Sequence, residues 1–173
     1  MFRLRITAIL LFATIIISLP SCQRAPLSPL ETVNALYDNE LSPPPGITYH
    51  TEAAEGSKQY LSDDLLLYAY GIPKDFDGII SVAVRLSSYG HPCEFAIFYC
   101  KSRPVAEDVA IYCRGRIDSI IKNAAAASRF SNMPLDEYLS YLKNSAVIIS
   151  GRYVAMLISS DLEAAKKILY KSL

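Results

Sequence analysis

The chain has 173 residues, 51% of them hydrophobic and 20% charged, with 17 basic and 17 acidic side chains. That is too apolar for a disordered chain, and its seven glycines carry no fibrous repeat. A formal charge of zero argues against a nucleic-acid binder, which carries a basic surplus, and the length suits one domain with a sizeable core.

Met1 to Arg5 form a short positive opening, followed by 14 uncharged residues from Ile6 to Leu19. A bilayer-spanning helix needs ~20 apolar residues, so this run reads as an export signal over residues 1–21. It ends in Leu19-Pro20-Ser21-Cys22, which resembles the lipobox of bacterial lipoproteins, with Pro20 in place of the usual small residue. That resemblance implies a diacylglycerol thioether on Cys22, which becomes the first residue of the mature chain. Two acyl chains hold a protein on a membrane where one barely does. The mature chain has 152 residues, 15 of them basic and 17 acidic, so charge adds no attraction to an anionic surface.

Residues 22–56 are expected to be a tether with one short amphipathic helix. Ser28-Pro29-Leu30-Glu31 has the form of a capping box, with Leu30, Val33, Leu36, Tyr37 and Leu41 on one stripe. Ser42-Pro43-Pro44-Pro45-Gly46 breaks it, and Ile47 to Gly56 reads as loop. The segment from 57 to 173 then reads as a single domain. Ser62 caps a short helix that Gly71 closes after Tyr70. A strand follows, with Ile80, Val82, Val84 and Leu86 on one face, then a turn at Tyr89-Gly90-His91-Pro92 and a strand from Glu94 to Cys100. A long helix is expected from Pro104 to about Ala127, with Glu107 and Asp108 in its first turn, and a short one from Leu135 to Lys143. Ser145–Ile149 and Arg152–Ser159 pair about Ser150-Gly151, and a capping box at Ser160-Asp161-Leu162-Glu163 opens the last helix. The order ββαββα, with helices in front, predicts an α+β fold: a two-layer domain whose antiparallel sheet of about four strands carries helices on one face.

Candidate chemistry is sparse. Cys93 and Cys100 are seven residues apart on one strand, roughly 23 Å when extended, too far to pair. Cys100 and Cys113 are near enough in the expected fold for a disulfide, although small buried hydrophobes account for all three thiols as well. His50 and His91 are the only histidines, too few for a metal site, and no cofactor motif is present. The acidic pairs Asp63-Asp64, Glu107-Asp108 and Asp136-Glu137 are explained by helix starts. Arg114 and Arg116 read as a solvated helix face, with an anion site as the alternative. Tyr68, Tyr70, Tyr138, Tyr141 and Tyr153 suggest an amphipathic surface for partners or sugars, with most of them half-buried at the core edge.

In order, Asp63-Asp64, Tyr70-Gly71-Ile72, Glu94 to Phe98, Arg116, Tyr138 or Tyr141, Asn144, and Gly151 to Val154 with Ile158-Ser159 resemble the domain of unknown function 4358. The resemblance spans about residues 57 to 173. That family comprises small lipoproteins, largely of Gram-positive anaerobes, and brings no established activity or site. It implies a lipid-anchored, extracytoplasmic α+β domain. Together these readings favour a non-enzymatic binding or interaction module of the cell envelope, attached to its membrane through Cys22 and meeting an envelope protein partner. The alternatives are capture of a small ligand and an unrecognised envelope hydrolase.

Overall fold

The computed structural model describes residues 26–40 and 43–173. The signal segment, Cys22 and Leu41 lie outside the described residues. Among those described, no helix is long and apolar enough to cross a membrane.

The first helix, α1 (Pro29–Asp38), starts at the expected capping box: the Ser28 side chain accepts from the Glu31 N–H, and Glu31 returns the bond to the Ser28 N–H at 2.8 Å. Beyond the prolines lies a strand, β1 (Gly46–His50), where the sequence suggested loop. It is a short edge strand without a clear alternating pattern. It pairs closely enough with its neighbour that a Cβ on Gly46 would stand 2.2 Å from the Leu86 carbonyl oxygen. Helix α2 (Asp63–Tyr70) has its Ser62 cap and its left-handed Gly71.

Strands β2 (Ile79–Ser87) and β3 (Glu94–Cys100) follow, then α3 (Arg103–Lys122), α4 (Ala124–Ser131) and α5 (Leu135–Lys143). The hairpin of β4 (Ser145–Ser150) and β5 (Tyr153–Ile158) leads into α6 (Leu162–Ser172). The sheet is antiparallel throughout, in the order β1-β2-β3-β5-β4. The fold of the described residues is therefore α+β, with five strands rather than about four.

Helices cover both faces of the sheet, not one. Val82, Val84, Ala96, Phe98, Val154 and Met156 pack under α2, α3 and α5. Ala83, Phe95, Ile97, Ala155 and Leu157 alternate with them and pack under Val33 and Leu36 of α1 and Ala165 and Leu169 of α6. The cause is visible in β3 and β5, whose runs are apolar at odd and even positions alike, as strands buried on both faces must be. Of residues 22–56, expected as a tether with one short amphipathic helix, the described part places that helix in the core and adds an edge strand.

Three local expectations are corrected. A bulge in β2 sets Ile79 opposite Cys100 and Ser81 opposite Tyr99, so Ile80 is unpaired and turns outward instead of joining Val82 and Val84. The long helix ends at Lys122, because the Asn123 amide bonds back to the Ser119 carbonyl at 2.8 Å and competes with the helical ladder. That helix starts at Arg103, so Glu107 lies past its first turn and pairs with Arg103 at 3.1 Å.

The last helix is capped by Asp161, whose carboxylate accepts from the Ala164 N–H at 3.0 Å. Ser160 instead donates its backbone N–H at 2.9 Å and its hydroxyl to the Glu40 carboxylate, which also accepts from the Ser159 hydroxyl at 2.7 Å. At the opposite end of the same helix pair, the Leu27 N–H donates to the Ser172 carbonyl at 2.8 Å.

Candidate functional site

β3 opens on an acid. Residues 94, 96, 98 and 100 share a face, so Glu94 points beneath α2 and α3 into apolar surroundings with a side chain only 5% exposed. A charge there needs partners. Arg116 of α3 supplies Nη2 to Glu94 Oε2 at 2.8 Å and Nε to both carboxylate oxygens at 3.3 Å. Tyr70, the last residue of α2, donates its hydroxyl to Oε1 at 2.6 Å while its ring packs edge-on against Phe98. Burial first, and the Glu94 carboxylate second, push the Tyr70 phenol well above its ordinary range. Burial opposes the Arg116 charge, but Glu94 outweighs it and holds the guanidinium above its usual value.

This pair forms the floor of a pocket of about 300 Å³. Its walls come from Leu86, Pro92, Ile120 and Ala127, with Ser87, His91, Ser119, Asn123 and Tyr138 as polar lining. Burial lowers the pKa of His91 despite the nearby Glu137 and Glu40, which keeps the ring neutral near pH 7. Its Nδ1 accepts from the Cys93 N–H at 3.1 Å, which leaves the proton on Nε2. Burial also raises the Tyr138 phenol. Arg116 Nη1 takes no part in the Glu94 bonds, and the Tyr138 side chain lines the pocket beside it. The pocket thus offers several donors with no net charge.

The sequence candidates are distributed as follows. Cys22 lies outside the described residues. Cys100 and Cys113 share the core cluster under α3 as free thiols, and Cys93 is a third, on the other side of the sheet. Burial pushes Cys100 up to about 11 and Cys93 up to about 12, and raises Cys113 further, so none is a ready nucleophile. Of the acidic pairs, Asp63-Asp64 and Asp136-Glu137 sit in first helical turns. Among the described residues no group of three metal-ligating side chains converges.

The solvated-face reading holds for Arg114 and fails for Arg116, which turns inward. The five tyrosines do not form one surface. Tyr70 and Tyr138 are buried, Tyr141 and Tyr153 half-buried, and Tyr68 is 89% exposed. From the sequence, Tyr70 is one of five tyrosines expected at a partner or sugar surface, and Glu94 has no site role. The signal for Glu94 was an acid at an inward position of a strand that otherwise reads Phe-Ala-Ile-Phe-Tyr-Cys.

No family model, no curated protein and no solved structure matches this chain.

Proposed function

We propose that this chain is a non-enzymatic binding module of the cell envelope, tethered through a lipid on Cys22, which captures a small ligand over Glu94 and Arg116. One observation carries the reading: a buried carboxylate paired with a half-buried arginine that lines a pocket of about 300 Å³ and has an Nη1 outside the pair. That volume is at the lower end of small-molecule sites. An apolar pair would seal a core at no electrostatic cost, whereas a satisfied ion pair beside an open pocket leaves N–H groups for an occupant. The acid is fully engaged by Tyr70 and Arg116, which argues against acid–base work. The anchor rests on the lipobox and the envelope location on the short family motifs quoted above.

Mass spectrometry of protein purified gently from its own membranes, under native and then denaturing conditions, tests both parts. The denatured mass should correspond to a chain beginning at Cys22 with diacylglycerol added; an unmodified chain refutes the anchor. The native mass should exceed it by a small molecule that Tyr138→Phe protein fails to retain. A protein-sized excess would favour an interaction module instead.

A further inference from the structure

A strained residue stands next to this pocket, one position before its lining residue Gly90. Tyr89 has φ +56° and ψ 29°, a left-handed conformation that bulky side chains rarely adopt. Glycine would take it freely, yet the chain keeps a tyrosine there, 74% exposed. Gly90 comes next, with φ +71°, and lines the pocket. A Cβ on Gly90 would stand 2.9 Å from the ring of Phe130, which is also 74% exposed. Two large exposed aromatic side chains therefore adjoin the lining residue Gly90, one as its chain neighbour and one packed near it, just outside the pocket's own lining.

The interior restricts what those rings can receive. Arg116 is matched by Glu94, so an anion would gain no uncompensated charge. Glu94 is matched by Arg116 and Tyr70, so a cation would find no free carboxylate. A purely aromatic occupant would leave Arg116 Nη1, the Tyr138 hydroxyl and His91 Nε2 without acceptors, which is costly once water is expelled. Asn123 adds an acceptor, since its Nδ2 is committed to the Ser119 carbonyl and Oδ1 is not. The complement is small and neutral, with polar groups around its edge and a flat C–H face.

We propose that the pocket binds a single neutral sugar ring, with its hydroxyls on Arg116, Tyr138, His91 and Asn123 and its C–H face against Tyr89 and Phe130. This rests on the ligand-capture reading above and adds the ligand class. The left-handed turn then serves to aim the Tyr89 ring, and its strain is retained for binding.

The test uses full-length protein in a sugar-free detergent, with D-glucose, D-galactose and N-acetyl-D-glucosamine as probes and p-cresol as a neutral aromatic comparison. Saturation-transfer NMR should detect at least one sugar, with the strongest transfer to ring C–H protons. Tyr89→Gly should weaken that binding at least tenfold while raising Tm, because it relieves the backbone. Tyr138→Phe, which removes only a hydroxyl, should weaken it without lowering Tm greatly. Binding of p-cresol with none of the sugars would overturn the sugar assignment and leave ligand capture standing. No binding by any of the four probes would overturn both. A Tyr89→Gly protein that binds a sugar as well as the parent would overturn the role given to the aromatic rim.

Discussion

Replacing Arg116 with Met removes the cation from Glu94 and keeps most of the aliphatic stem. The carboxylate, 5% exposed, is left with the single hydrogen bond from Tyr70. Breaking a buried pair from one side costs about 3–5 kcal/mol. The Arg116 side chain is 25% exposed, so water reaches the vacated space and screening brings the cost to or below the bottom of that range, roughly 2–3 kcal/mol. For a chain of this length each kcal/mol moves Tm by about 2–4 °C, so the melting point should fall by roughly 4–12 °C. Urea unfolding followed by circular dichroism measures the loss directly, provided the slope with urea is unchanged. The double variant Glu94→Gln/Arg116→Met completes a cycle. With no charge left to strand, it should recover much of what Arg116→Met loses, giving a coupling on the order of 1 kcal/mol or more. A single-variant loss below about 0.5 kcal/mol, or losses that simply add, would refute the account of Glu94 as a charge held in place by Arg116.

Further expectations concern the same core and the ends of its helices. Tyr70→Phe keeps the edge-on contact with Phe98 and deletes the bond to Glu94; it should cost about 1.5–3 kcal/mol in urea unfolding, and a loss within error would show that the hydroxyl is expendable. The buried thiols predict alkaline sensitivity. Unfolded cysteines ionise at about 8.5, whereas burial pushes Cys100 up to about 11 and Cys93 up to about 12. Their contribution is therefore complete below about 8.5 and lost as pH rises through the folded values, with Tyr70 acting in the same direction. Tm should fall steadily between pH 8.5 and 11, and a thiol reagent at pH 8 should label Cys93, Cys100 and Cys113 only after denaturant is added. Ser28→Ala removes half of a reciprocal cap and should cost about 1 kcal/mol; an unchanged urea midpoint would mean that α1 is held by packing alone.

Local signals in this sequence were more legible than layering. Caps at Ser28 and Ser62 and the helix end at Gly71 depend on neighbours within four residues, and the chain reads them directly. Whether a strand is covered on one face or two depends on distant helices, and β2 misled because its alternating half suggested one covered face. β3 and β5 carried the opposite message in unbroken apolar runs. The bulge that expels Ile80 is a property of pairing and has no signature in β2 alone. The site follows the same logic. Glu94 was detectable as an inward acid, but its partner lies 22 residues on, and Arg116 resembles its exposed neighbour Arg114 until the helix is docked. Ser160 likewise resembles a cap until Glu40, from the far end of another helix, claims it.

The polar contacts at the two ends of the α1–α6 pair also define a direction. Glu40 meets Ser159 and Ser160 where β5 ends, beside its register partner Glu94, and so at the pocket's end of the sheet. Leu27 meets Ser172 after α6 has run back by about 16 Å, at 1.5 Å per residue. The chain therefore enters the fold at the pole remote from the pocket. Cys22 is five residues before Leu27, a reach of at most roughly 18 Å. The lipid proposed there would keep the entry pole close to the bilayer and turn the pocket away from it.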